Sequence, residues 1–414
     1  MSTICRRRDD CRLCGGSRLT PVLSLAATPP ANAFVPAGLA GQPQQRFPLD
    51  VAFCEDCRHV QLMDVVDPRL LFEHYVYVSG TSPLFVKHFD DYAGWMVDRF
   101  GIAREGLAVD IGSNDGTLLK AFQARGLRVQ GIDPAMEIAE AASQAGIPTI
   151  NGFFGPELAA RIRAEQGPAA VITANNVFAH IDDLAGVMDG VRALLADDGV
   201  LAFEVSYLVD VFENTLFDTI YHEHLDYHSV GPLVPFLAAR GLELIEAVRV
   251  PSHGGSIRIV AQPRGGRHAV GASVATALEE ETRLGLDRAD TLQAFGAKIA
   301  AVGAELKGVL TALKAEGKRI AGFGAPAKAT TLMYHFGIGP ELIDFIVDDS
   351  PLKQGLFSPG MHIPVVPSSA IAESKPDALV VLAWNFAPSI IEKNAAFRAG
   401  GGQFIVPLPR VEVI

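Results

Sequence analysis

A chain of 414 residues, 49% of them apolar, is long enough for two or three cores, and a net charge of −12 argues against a nucleic-acid backbone as partner. No apolar run approaches a membrane span, and no apolar core follows Arg6-Arg7-Arg8 as a secretion signal requires. The expectation is a cytoplasmic, monomeric protein that meets neither membrane nor nucleic acid.

The first motif is a pair of CxxC knuckles, Cys11-Arg12-Leu13-Cys14 and Cys54-Glu55-Asp56-Cys57. Each offers two thiolates to one tetrahedral ion, and doubled redox pairs or disulfides are disfavoured in a reducing compartment. Cys11, Cys14, Cys54 and Cys57 are therefore expected to hold a structural zinc with no open coordination position, although the loop between the knuckles is longer than in most zinc ribbons. Cys5 is left over. Residues 1–70 form this module, with a strand-like run at 47–53, and a helix is expected from Pro83 to Phe100.

The most telling stretch is Val109-Asp110-Ile111-Gly112-Ser113-Asn114-Asp115-Gly116-Thr117, a buried strand that breaks into a glycine turn and starts a helix. Such a turn brings backbone amides close to a ligand at a helix N-terminus. A second strand, 128–132, ends in Asp133, at the separation where a strand-end carboxylate takes ribose hydroxyls. The pattern is not the GxGxxG of a dinucleotide site. It resembles the first motif of class I S-adenosylmethionine-dependent methyltransferases, an α/β fold with a Rossmann-like sheet. A third strand, 170–174, leads to Asn175-Asn176-Val177-Phe178-Ala179-His180, and residues 194–204 read as a helix end, a tight turn and a fourth strand. Strand and helix alternate to about residue 247, which implies a parallel sheet covered on both faces.

After that strand comes Phe217-Asp218-Thr219-Ile220-Tyr221-His222-Glu223-His224-Leu225-Asp226-Tyr227-His228. If extended, His222 and His224 share a face and suit a metal, with Glu223 opposite. Otherwise one histidine serves as a general base, or the rings satisfy buried carbonyls. The HExxH spacing and a third ligand are both missing, which tells against the metal. A helical stretch runs from Ser273 to Glu316, broken at 287–290, and a second α/β unit begins at Arg319. Its turn, Gly322-Phe323-Gly324-Ala325-Pro326-Ala327-Lys328, carries a lysine that the first turn lacks. The first suits a phosphate-free zwitterion and the second an anion, the alternative being that the second turn only packs, as glycine turns in parallel sheets also do.

In their order along one chain, these motifs resemble the nucleotide-sugar C-methyltransferases of branched deoxysugar biosynthesis, from Cys11 to about Trp384. The resemblance implies three domains: zinc-binding at 1–70, methyltransferase at 71–260 and a C-terminal Rossmann-like domain at 261–414. It implies an S-adenosylmethionine-dependent enzyme that methylates a nucleotide-linked 4-keto-deoxysugar, dTDP-linked and at C-3, through an enolate. By the same resemblance His224 is the base, supported by Tyr221 and Glu223, while Tyr75, Tyr77 and His180 line the sugar pocket and steady the enolate. Asp110, Gly112, Asn114, Asp115 and Asp133, with Phe153, Phe154 and Asn175, are the candidate cofactor residues. Candidate acceptor residues are Asn176 and His253, Gly254, Gly255 and Arg258 of HGGSIR, the last suited to a diphosphate, then Gly324, Ala325, Lys328 and Lys353. Tyr334-His335 and Phe386 depart from the family pattern, which bears on base or sugar preference. Methylation at oxygen, nitrogen or another carbon such as C-5 is the alternative, and a non-enzymatic nucleotide-binding zinc protein is the alternative from another class.

Overall fold

A computed structural model describes residues 4–72, 80 and 83–414. Its centre is a seven-stranded sheet in the order Leu242–Val250, Ser256–Pro263, Leu195–Ser206, Ala169–Asn175, Leu107–Ile111, Arg128–Asp133, Thr149–Asn151. Only Ser256–Pro263 runs antiparallel to its neighbours. Every residue of Leu107–Ile111 is buried, as an apolar run flanked on both sides by parallel strands and on both faces by helices requires. The strand order reverses beside Leu107–Ile111, so the crevice opens where this strand and Ala169–Asn175 end.

The helix Leu184–Leu194 passes directly into the strand Leu195–Ser206, where the sequence suggests a tight turn. A register shift between the pairs Ala169–Leu195 and Val171–Val200 takes up the extra residues, so Asp197-Asp198-Gly199 sit in a bulge within the strand. The helical stretch divides as expected, into Ala272–Leu284 and Ala289–Ala315.

The C-terminal sheet repeats the plan with Val365–Val366, Ile346–Val347, Ile320–Phe323, Ala378–Val381 and Gln403–Val406 parallel, closed by antiparallel Glu412–Val413. The N-terminal sheet is antiparallel: Asp226–Tyr227, Val60–Leu62, Phe47–Cys54, Leu19–Thr28. Its edge strand Asp226–Tyr227 belongs to the histidine-rich segment of the middle region, so the zinc module is stitched to that segment by backbone hydrogen bonds. A second stitch, Val35–Pro36 with Leu356–Phe357, joins it to the C-terminal region. The middle sheet itself extends to Pro263, through the expected boundary at residue 260. Among the described residues, no helix is long and apolar enough to cross a membrane.

Candidate active site

The four cysteines converge as the knuckles demand. Their sulfurs lie within 4.8 Å of one another, with Cys11 to Cys57 at 3.5 Å and Cys14 to Cys54 at 3.6 Å. A tetrahedron of thiolates about 2.3 Å from zinc has edges of roughly 3.8 Å, so the donor set fits the ion and leaves no position open. Among the described residues this is the one cluster arranged to hold a metal, and it includes neither His222 nor His224. They lie in a turn, and the His222 ring is buried against Phe47, donating from Nε2 to the Phe47 carbonyl at 3.2 Å. Burial pushes the His222 imidazole down to about 4, which keeps it neutral.

At the end of Leu107–Ile111 the chain turns through Gly112, φ 68°, where an added Cβ would stand 2.4 Å from Val177 Cγ2. The Asn114 amide donates to Asp133 Oδ2 at 2.9 Å and the Ala135 amide to Oδ1 at 2.9 Å, so each oxygen keeps a lone pair for a further donor. Asp115 accepts from Thr117 and from the Gly80 amide and so fastens the start of the helix Thr117–Ala124. Asp110 is buried beneath the loop, accepts from Thr173 Oγ1 at 2.6 Å, and is pushed up to about 7 by that burial. Asn175 carries the clearest sign of a missing ligand: both atoms of its amide are buried without a hydrogen-bond partner among the described residues. Asn176 adopts φ 56° and donates its amide to the Glu204 carbonyl at 2.7 Å. Phe153 is 59% exposed, whereas Phe154, 8% exposed, is core. The loop, Asp133 and the orphaned Asn175 amide could hold a polar, ribose-bearing cofactor.

The neighbouring segment places His224 with its tautomer defined. Its Nδ1 lies 2.7 Å from the Thr219 carbonyl, which can only accept, so Nδ1 carries the proton in the neutral ring. The lone pair is then on Nε2, 3.1 Å from the Tyr221 hydroxyl. The His180 ring stacks on His224 at 5.1 Å between centroids and on Phe72 at 5.4 Å. Burial holds the His180 imidazole well below its ordinary value, and its Nε2 has no partner among the described residues. Glu223 Oε1 accepts from Asn32 Nδ2 at 2.8 Å, and burial raises its carboxyl to about 7. Tyr75 and Tyr77 lie outside the described residues, as does the side chain of His253.

The candidate acceptor residues divide. Arg258 is turned inward: its Nε donates to Glu204 Oε1 at 2.8 Å and its guanidinium lies 3.8 Å from the Tyr92 ring centre. Glu204 also receives His88 Nε2 at 2.8 Å, so the charge of Arg258 is already matched. A Cβ on Gly254 would stand 3.1 Å from the Trp384 ring and one on Gly255 2.3 Å from Asp210 Cγ, so both glycines make room for protein. In the second turn, Gly324 has φ 85° and Ala325 donates its amide to Asp348 Oδ2 at 2.6 Å. Lys353 donates to the Ala325 carbonyl at 2.8 Å. Lys328 Nζ lies 3.5 Å from the Trp384 ring centre and donates to Asn385 Oδ1 at 2.8 Å, while Trp384 Nε1 donates to buried Asp218 at 2.7 Å. Burial lowers the Lys328 ammonium to about 8, against the pull of Asp218.

Sequence reasoning missed Asp348, whose place after Ile346–Val347 mirrors that of Asp133 and was open to the same argument. It also missed Asn32 and the Thr219 carbonyl, for which no local pattern exists.

Three family models match the chain: "Putative zinc binding domain" at residues 11–72, "Methyltransferase domain" at 91–247, and "C-methyltransferase C-terminal domain" at 251–409. C-methyltransferase NovU of Streptomyces niveus is 37% identical over 414 residues, covering 100% of this chain and 99% of that protein. The chain belongs to this C-methyltransferase family. It is an S-adenosylmethionine-dependent methyltransferase with a four-cysteine zinc site. Solved structures with a similar part include an S-adenosylmethionine-dependent methyltransferase from Clostridium acetobutylicum, 13% identical over 44% of this chain and 92% of that one, TM-score 0.35. Another is a magnesium protoporphyrin IX methyltransferase from Synechocystis, 12% identical over 42% and 82%, TM-score 0.33.

Proposed function

We propose that the acceptor is a carbon beside the ketone of a nucleotide-linked 4-keto-deoxysugar, dTDP-linked and methylated at C-3. The observation that carries the reading is His224, an imidazole whose Nδ1 is tied to the Thr219 carbonyl while Nε2 meets the Tyr221 hydroxyl. A carbon becomes a methyl acceptor only when a neighbouring ketone acidifies its C–H bond and a base removes the proton. Bound in the crevice, S-adenosylmethionine supplies an electrophilic sulfonium methyl. Asp133, positioned by the Asn114 amide, and Asn175 would hold that cofactor, and the chemistry on the acceptor falls to the histidine segment.

In this reading the Tyr221 hydroxyl takes the C-3 proton as it passes its own proton to His224 Nε2, to which it is hydrogen-bonded, so His224 is the base reached through Tyr221. A ketone's α-proton is far less acidic than imidazolium, so the developing oxyanion needs preorganised donors and a dry site. His180, neutral and with Nε2 available to a ligand, is one such donor, and Glu223 with its raised carboxyl is another. Tyr75 and Tyr77 remain candidates for the same pocket. Keeping His180 uncharged also spares the stacked His224 a like charge when it takes up the proton. The nucleotide is assigned to the second turn, where Lys328 and Lys353 would meet its diphosphate, because the Gly324 amide donates to the Val347 carbonyl and the Ala325 amide to Asp348.

The test is a panel of nucleotide-linked sugars incubated with S-adenosylmethionine, with the products located by mass and NMR. A new methyl on C-3 of a dTDP-linked 4-keto-deoxysugar is expected. Methylation only at oxygen, nitrogen or C-5 overturns the assignment.

A further inference from the structure

Between the zinc ligands Cys11 and Cys14 lies Arg12, whose side chain has no exposed surface. An arginine at a zinc knuckle would ordinarily face solvent, and this one instead reaches into the histidine site. Nη1 donates to the Leu62 carbonyl at 2.6 Å and to the Leu225 carbonyl at 3.3 Å, and Leu225 directly follows His224. Nε donates to Asp182 Oδ1 at 3.1 Å, two residues beyond His180. Between these anchors the Leu225 amide donates to the Ala179 carbonyl at 2.6 Å, tying the histidine segments together next to the stacked rings. Arg8 grips Asp182 from the same tail, at 2.9 Å.

We propose that Arg12 is a positioning residue, by which the zinc knuckle sets the separation of His180 and His224. The inference rests on the reading of His224 as the base. Its physical content is that one rigid guanidinium, on a backbone anchored by the candidate zinc ligands Cys11 and Cys14 to either side, fixes two segments that carry stacked rings. Arginine suits the task because its planar fork serves three acceptors in fixed directions, which a lysine ammonium on a flexible stem does not. The zinc module then does more than hold its own strands together: it sets the geometry of proton transfer.

The experiment compares Arg12→Met, Arg12→Lys and Asp182→Asn with the native enzyme. It measures zinc content, S-adenosylmethionine affinity, kcat and KM, exchange of the C-3 hydrogen in D2O, and ring signals of carbon-13-labelled histidines. The signal of His224 is identified by its loss in His224→Asn. Arg12→Met should keep its zinc and cofactor affinity, shift the His224 signal, and lose kcat and exchange together by about tenfold or more, since a misplacement near 1 Å costs up to about 10²-fold. Arg12→Lys should recover part of that loss, and Asp182→Asn should fall the same way by less. A variant with a lower melting temperature but native ring signals, kcat and exchange overturns the proposal. Should Arg12→Met lose zinc, Asp182→Asn decides, by the same readouts. If His224→Asn still exchanges the hydrogen normally, the reading of His224 as base fails, while the ring signals still decide whether Arg12 sets the geometry.

Discussion

The two Rossmann-like regions have the same local design and leave different vacant chemistry. In each, a strand runs into a glycine with φ above 60°, and the carboxylate after the next strand accepts the amide of the turn: Asn114 on Asp133, Ala325 on Asp348. In each, a second amide binds the other oxygen, from Ala135 at 2.9 Å and from Ser350 at 2.8 Å. The difference lies in what surrounds the turn. The first has the Asn175 amide, neutral and orphaned among the described residues. The second has Lys353 on the Ala325 carbonyl and Lys328 over Trp384. On the proposed function, one strand–turn–helix frame would serve different ligands according to whether a lysine enters it.

The largest expected effect lies outside both turns. His224→Ala should lower turnover by roughly 10²-fold or more, the usual scale for a positioned base, and leave cofactor affinity near native. The turns themselves can be set against each other. Asp133→Ala should weaken S-adenosylmethionine about tenfold, or roughly 1.4 kcal/mol, with the KM for the sugar nucleotide little changed. Lys353→Met should do the reverse, raising that KM about tenfold through loss of a charge-assisted contact while calorimetry finds the cofactor bound as before. If either variant affects both ligands equally, the division between the turns fails.

These assignments differ in how far the sequence could carry them. The zinc knuckles and the first turn are local patterns, in which residue type and spacing already state the geometry, and the structure brings those residues together. Arg258 shows where local reading stops. Its segment looks like an anion grip, but its partner Glu204 lies 54 positions earlier, on a neighbouring strand that only the fold puts beside it. The same holds for Glu223 and Asn32, and for the pairing of Asp226–Tyr227 with the zinc module, which decides where the histidines point. Whether residues 221–224 run extended or turn is also a tertiary choice. It separates His222, held by Phe47, from His224, held by Thr219.

Smaller effects sharpen the comparison from the side of stability. Elemental analysis should find about one zinc per chain, and Cys54→Ser should lower the melting temperature, since metal binding contributes directly to folding. Asp110 gives a pH signature of the first turn. Its folded carboxyl is raised to about 7 by burial, above the unfolded value near 3.8, so its contribution to stability is fully present below about 4 and is lost as pH rises towards 7. The melting temperature of Asp110→Asn, minus that of the native protein, should therefore increase between about pH 4 and pH 7. A flat difference would mean that Asp110 is ionised in the fold.

The most direct measurement of the central claim is exchange of the C-3 hydrogen of a dTDP-linked 4-keto-deoxysugar in D2O, with S-adenosylhomocysteine filling the crevice. The native enzyme should wash that hydrogen into solvent without any methyl transfer, and His224→Ala should not. Exchange at the native rate in His224→Ala would place the base elsewhere, and no exchange in the native enzyme would contradict the enolate route itself.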